Sequence, residues 1–207
     1  MLPINWKTAI DYAALIAIAE SVSATAGYGD AEKSAITKAG YAFVQPIYGD
    51  DLCTDINPHI GKIVTYGFLA TSPSKELVAS VRGTADIWGW VHDACFLMVP
   101  AAVSGAQGFT EDGFSAVYRS LRVAPANSAS TVRDAIKGHL EAGAATTVTV
   151  CGHSLGGALA TLLTLDVALN TPCRSPISYT YASPRAGDHL FAASYNAAVP
   201  YTYRIAN

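Results

Sequence analysis

Ser154 stands in Gly152-His153-Ser154-Leu155-Gly156, a serine between two glycines at a spacing that suits a nucleophilic hydroxyl. The residues before it, Val148-Thr149-Val150-Cys151, read as a strand, and those after it, Gly157-Ala158-Leu159-Ala160, open an Ala/Leu-rich helix. A strand that turns sharply into a helix lifts a serine to the top of a sheet, on a strained backbone, with its hydroxyl exposed to substrate. A β-carbon at Gly152 or Gly156 would clash where that strand packs on that helix. The helix N-terminus brings unpaired N–H groups and the positive end of its dipole to the point where an oxyanion would form. The chemistry indicated is attack of a serine oxygen on a carbonyl carbon. The competing reading is a tight strand-to-helix turn holding an ordinary serine; the strand before and the helix after weigh against it.

Such a turn needs a sheet to carry it. Lys62 to Thr71 and Lys75 to Arg82 are β-rich runs joined by Ser72-Pro73-Ser74, a hairpin whose second strand delivers Thr84 to a loop at its C-terminal end. In open α/β sheets that edge is where ligands bind. Upstream, Trp6, Ile10, Ala13, Ala14, Ala17, Ile18 and Val22 recur at helical spacing and predict an amphipathic helix over 5–22 that covers one face of the sheet. Residues 27–61 are rich in Gly, Asp, Pro and Tyr, with a second helix or a strand around Ala39 to Val44. Ala94 to Val99 reads as a core strand. Thr110 caps a helix through about Arg122, with Glu111 and Asp112 in its first turn. A helix from Thr131 to Ala142 stops at Gly143 and turns Arg133, Asp134, Lys137 and Glu141 to solvent. A strand over Thr146 to Cys151, the helix after the turn, a strand over Ile177 to Ala182, a helix from about Leu190 to Ala197 and a strand over Tyr201 to Ala206 complete the chain. Alternating strands and helices after residue 110 predict a mostly parallel central sheet with helices on both faces, in one α/β domain over 1–207.

Four stretches together carry a resemblance. Gly152-His153-Ser154-Leu155-Gly156-Gly157-Ala158-Leu159-Ala160 resembles the nucleophile elbow of the class 3 (fungal triacylglycerol lipase-like) family of α/β-hydrolases. Tyr66-Gly67-Phe68-Leu69-Ala70-Thr71 and Leu77-Val78-Ala79-Ser80-Val81-Arg82-Gly83-Thr84 resemble its hairpin ending in Arg-Gly-Ser/Thr. Gly113-Phe114 and Tyr181-Ala182-Ser183-Pro184-Arg185-Ala186-Gly187 resemble two later landmarks, so the agreement covers roughly residues 60 to 207. The resemblance implies an α/β-hydrolase fold and a carboxylic ester hydrolase that forms an acyl-enzyme on Ser154 with no cofactor and no metal. It implies an oxyanion hole built from the backbone N–H groups of Thr84 and Leu155; Arg82 itself reads as structural, pairing a carboxylate beneath the site. It also places a short lid at Ile87, Trp88 and Trp90, where burial in the core explains the same aromatic composition equally well.

The triad of this fold runs Ser, then Asp or Glu, then His. After Ser154 the acids are Asp166 and Asp188, and the histidine is His189. Asp166 falls about three turns into the helix, roughly 15 Å or more from the catalytic edge. Asp188 and His189 are sequence neighbours, a poor geometry for a hydrogen-bonded pair that also reaches Ser154, and His92 and Asp93 precede the elbow, against the triad order. The expectation is therefore a domain apparently truncated at its C-terminus, lacking the portion that holds the triad Asp and His, with the 207-residue chain inactive by itself.

Composition narrows the partners. At 51% hydrophobic and 14% charged the chain is apolar for a globular protein, long enough for a sizeable core. A net charge of −3 with no Lys/Arg cluster gives no electrostatic footprint for nucleic acid. The apolar run from Tyr12 to Ala19 is too short to span a bilayer, and no signal-peptide pattern is visible. Cys53, Cys95, Cys151 and Cys173 show no C-x-x-C spacing and read as mostly free thiols. The expected partner is a lipid or ester substrate, met at a lipid–water interface if the aromatic segment is a lid. The alternatives are a non-catalytic lipid- or partner-binding domain on the same fold, and a phospholipase or feruloyl-type esterase, which differ in pocket shape rather than in motif.

Overall fold

A computed structural model describes residues 3–22, 27–51, 62–83, 97–124 and 130–206. Six strands form one sheet in the order β1-β2-β3-β6-β7-β8. β1 (Ala42–Asp51), β2 (Lys62–Thr71) and β3 (Glu76–Val81) pair antiparallel, and β3, β6 (Thr147–His153), β7 (Ile177–Tyr181) and β8 (Tyr201–Ile205) pair parallel. β4 (Met98–Pro100) and β5 (Phe109–Glu111) make a separate antiparallel ribbon. This is the mostly parallel sheet with helices on both faces that the alternation of elements predicts, with β6 flanked on both sides and its C-terminal end at the middle of one sheet edge.

The helices divide between the two faces because strand residues alternate sides. Val148 and Val150 of β6 point into the larger core with Leu159, Leu162, Leu163 and Phe114, beneath α3 (Asp112–Ser120), α4 (Val132–Glu141) and α5 (Leu155–Asn170). Cys151 points the other way, into a core with Phe68, Val78, Tyr12 and Leu15, under α1 (Trp6–Ser21) and α2 (Asp30–Lys38). α6 (His189–Ala198) adds Phe191 and Tyr195 to the larger core. Cys151 and Cys173 are free thiols, while Cys53 and Cys95 lie outside the described residues.

Several elements depart from their predicted form. α1 covers the sheet as expected, but it buries Ala9, Tyr12, Leu15, Ile16 and Ala19, leaving Trp6 and Ile10 63% and 67% exposed. The helix is apolar on nearly every side, so spacing could not fix its phase. The buried face is the one that sends the Tyr12 hydroxyl to Glu76, at 2.5 Å, and to Thr149. The segment at 30–51 is both helix and strand, α2 then β1. Met98 to Pro100 is not core: these residues sit in the ribbon with Met98 exposed, and Ala94 to Phe96 lie outside the described residues. α3 is capped by Glu111, whose carboxylate accepts from Phe114 N–H at 2.8 Å, while Thr110 is a residue of β5. Thr131 caps α4 by accepting from Asp134 N–H. Arg133 does not face solvent alone: it bonds Asp134 at 2.9 Å and lies 3.8 Å from Asp166 of α5.

Candidate active site

β6 delivers His153 to the sheet edge, and Ser154 turns the chain into α5 with φ 55° and ψ −125°. A non-glycine residue at positive φ outside a regular turn stores strain of about 1–3 kcal/mol and needs surroundings that enforce it. They are visible. Ser154 N–H donates to Tyr181 O of β7 at 2.9 Å, and Ser154 O accepts from Gly157 N–H at 2.9 Å. A β-carbon on Gly156 would fall 2.4 Å from Val81 O, and one on Gly157 would fall 2.6 Å from Ser183 Cβ, so α5 starts in direct contact with the ends of β3 and β7.

Gly83 closes the site from the β3 side. A β-carbon there would lie 3.3 Å from Ser154 Cβ and 3.8 Å from Leu155 N. The first residue past Gly83 is Thr84, which lies outside the described residues, as do Ile87, Trp88 and Trp90 of the expected lid and His92 and Asp93. Leu155 is the first residue of α5, where a backbone N–H has no intrahelical acceptor. The structure thus brings together Ser154, Leu155 and the backbone that leads into Thr84.

The serine hydroxyl differs from expectation in one respect: it is covered. Ser154 is 6% exposed, and its Oγ is buried with no hydrogen-bond partner. Burying a hydroxyl without a partner costs about 1–3 kcal/mol. The hydroxyls of Ser80 and Ser178, within strands, are unpartnered as well; what sets Ser154 apart from them is the positive φ that coincides with the orphaned oxygen.

Among the described residues the partners of Arg82 are main-chain carbonyls rather than the expected carboxylate: Nε donates to Gly83 O at 3.0 Å and Nη1 to Val22 O at 2.8 Å. His153 Nδ1 lies 2.8 Å from Glu20 Oε1, across 133 positions of sequence. Sequence reasoning misses this contact, because no local signal marks a partner that far away.

The other titratable groups after the elbow take structural posts. Asp166, 8% exposed, accepts from Tyr118 Oη at 2.5 Å and from Asn170 Nδ2 at 2.7 Å. Asp188 caps α6 by accepting from Phe191 N–H at 2.8 Å, and that bond holds its carboxyl below the ordinary carboxylate range. His189 is exposed at the start of α6. Beside the elbow, a cavity of about 450 Å³ opens between Thr161, Ser183, Arg185, His189 and Arg204, within the size range of ligand pockets. Among the described residues no group of three or more His, Cys, Asp or Glu is placed to hold a metal, and no helix is long and apolar enough to cross a membrane.

Comparison with known proteins shows the family and the fold. A family model described as lipase (class 3) matches residues 78–207. Phospholipase A1-II 7 of Oryza sativa subsp. indica is 32% identical over 146 residues, which make up 58% of this chain and 36% of that protein. Two solved structures share the fold at low identity. A lipase from Rhizopus microsporus var. chinensis has a TM-score of 0.69 at 22% identity, covering 97% of this chain and 65% of its own. The native propeptide complex of Rhizomucor miehei lipase has a TM-score of 0.64 at 22% identity, covering 98% of this chain and 60% of its own. The chain therefore spans about a third of the length of the rice phospholipase.

Proposed function

Because the chain belongs to the class 3 lipase family, we propose that it is the nucleophile-bearing part of a serine hydrolase that cleaves the carboxylic esters of lipids. The observation that carries this is Ser154 itself: an unpartnered hydroxyl at φ 55°, ψ −125°, on the first turn of a buried helix. In the proposed reaction Ser154 Oγ attacks the ester carbonyl carbon while its proton passes to a general base. The carbonyl oxygen becomes an oxyanion held by the N–H of Leu155 and that of Thr84. Collapse of the tetrahedral intermediate breaks the ester C–O bond and returns the proton to the departing alcohol. Water, deprotonated by the same base, then attacks the acyl-enzyme and releases the fatty acid.

The base and its supporting acid are proposed to lie outside these 207 residues. The three described histidines have other places: His139 in α4, His153 beside Glu20, and His189 exposed on α6. The matched relatives' greater length leaves room for both groups.

The test is labelling of the full-length protein with a fluorophosphonate. Labelling that is abolished in Ser154→Ala is expected. An unreactive Ser154 in the full-length protein would favour the rival, a non-catalytic lipid-binding domain on the same scaffold. A second reading, phospholipid rather than triacylglycerol as substrate, is favoured by the identity with the rice phospholipase A1. Parallel assays on triacylglycerol, phosphatidylcholine and short p-nitrophenyl esters separate the two, and an interfacial mode of action would appear as a jump in rate when substrate aggregates.

A further inference from the structure

The last turn of α1 touches both halves of the site from behind. Glu20 reaches His153, the residue before the nucleophile, with Oε1 2.8 Å from Nδ1. A carboxylate only accepts, so Nδ1 carries the proton in this contact. Two residues on, Val22 O receives Arg82 Nη1 at 2.8 Å, while Nε of the same guanidinium holds Gly83 O at 3.0 Å. Gly83 is the backbone that sits against Ser154 Cβ and leads into Thr84. One helix end is therefore tied to the elbow through one side chain and to Gly83 through another.

We propose that Glu20, His153 and Arg82 are positioning residues, and that together they fix the spacing between Ser154 and the backbone of Gly83. The inference rests on the hydrolase reading of Ser154. Two facts separate it from ordinary packing. The strained φ of Ser154 relaxes unless something outside the turn holds it, and Glu20 and His153 are each roughly 40% exposed, so their contact contributes little to a core yet falls at the nucleophile's own neighbour. Arg82 suits its post because a planar guanidinium offers donors in a fixed fork, here aimed at two carbonyl oxygens on different segments; a lysine offers one point charge. Displacing either half of an oxyanion site by about 1 Å is enough to lower turnover by about a hundredfold. The three residues would thus act on the rate through the backbone they hold, Glu20 and His153 at the elbow and Arg82 at Gly83.

The experiment uses full-length protein, with each variant's rate divided by the number of serines titrated by a fluorophosphonate, so that misfolded molecules do not count. Glu20→Ala, His153→Ala and Arg82→Lys are expected to lower kcat on a short p-nitrophenyl ester by about tenfold with KM within about twofold, the split of a transition-state contact. Glu20→Gln, which keeps an acceptor oxygen for Nδ1–H, is expected to recover most of the rate. The Glu20→Ala/His153→Ala double variant should be no slower than either single, since both break one contact. Hydrogen exchange of the peptide spanning 152–158 supplies a readout that needs no catalysis, and Glu20→Ala should speed it about threefold or more without a matching change in global stability. Unchanged exchange at the elbow, or kcat within about twofold of wild type in Glu20→Ala, would overturn the brace. If wild-type Ser154 takes no label, the hydrolase reading is what falls, and the exchange measurement still decides whether α1 holds the turn. Should Arg82→Lys fail to fold, the half-exposed pair Glu20 and His153 carries the test alone.

Discussion

Gly152 and Gly156 meet across the elbow so closely that a β-carbon on Gly152 would stand 2.1 Å from Gly156 O. The obstacle is backbone on both sides, and backbone cannot swing away as a side chain can. Gly152→Ala should therefore cost about 3 kcal/mol or more, the upper end of overpacking in a closed core. Gly138, inside α4 with nothing within 4 Å of its built β-carbon, is the matched control. Gly138→Ala should gain about 0.5–1 kcal/mol from helix propensity. Urea titration of the two variants compares them directly, and similar costs would show that the close approach is not what fixes the glycine.

Ser154 should be less stable than its replacement. Glycine at 154 removes both the positive-φ strain and the orphaned buried hydroxyl, each about 1–3 kcal/mol by itself. Glycine's larger chain entropy in the unfolded state returns part of that gain. The net expectation is that Ser154→Gly raises unfolding free energy by about 1–2 kcal/mol while losing all fluorophosphonate labelling. Ser154→Ala, which sheds the hydroxyl but keeps a β-carbon at φ 55°, should gain less. A Ser154→Gly variant that melts below wild type would mean the hydroxyl has a stabilising partner.

Local patterns carry the elbow, the β2–β3 hairpin and the strand-helix alternation from β6 to β8, because each is written in adjacent residues: glycines at close approaches, β-branched runs, caps. What depends on distant partners does not show. The phase of α1 is set by Tyr12 finding Glu76, 64 positions away, rather than by its own apolar spacing. The cap of α3 falls one residue later than the sequence predicts, since Thr110 and Glu111 both offer an acceptor and only the pairing of β5 with β4 decides between them. An arginine beneath a site usually has a carboxylate partner; among the described residues those of Arg82 are two main-chain carbonyls, which no sequence pattern marks. The cover over Ser154 Oγ is likewise a tertiary fact, invisible in a motif that specifies only the turn.

Asp166 ties three helices together. It accepts from Tyr118 of α3 and Asn170 of α5, with Arg133 of α4 at 3.8 Å. Burial first, and then the neighbouring Asp166, push the Tyr118 phenol well above its usual range, so it remains a neutral donor. Asp166→Ala should destabilise by about 2–4 kcal/mol, because it strands a buried phenol and uncouples a half-buried guanidinium. Adding Tyr118→Phe to Asp166→Ala should recover part of the loss, since the buried phenol is then no longer left without its acceptor. Chemical denaturation of the single and double variants checks this. A double variant as unstable as the sum of its parts would show that the phenol and carboxylate act independently.

Asp188 makes the start of α6 sensitive to acid. Its carboxylate accepts from Phe191 N–H, and that bond, together with the neighbouring Phe109 and Leu190 N–H contributions and the His189 charge, lowers its pKa from the ordinary 3.8. A carboxyl with a lowered folded pKa contributes stability that is fully present above the unfolded value, near pH ~3.9, and is lost as pH falls through the folded one. Asp188→Asn can still cap α6 but brings no charge to the positive end of the helix dipole. The variant should therefore melt below wild type near neutral pH, and the gap should close as the solution is acidified through the carboxylate range. Thermal melts of both proteins from neutral to acid pH measure it directly. A gap that stays constant across that range would mean the cap works through geometry alone, with the charge of Asp188 irrelevant to it.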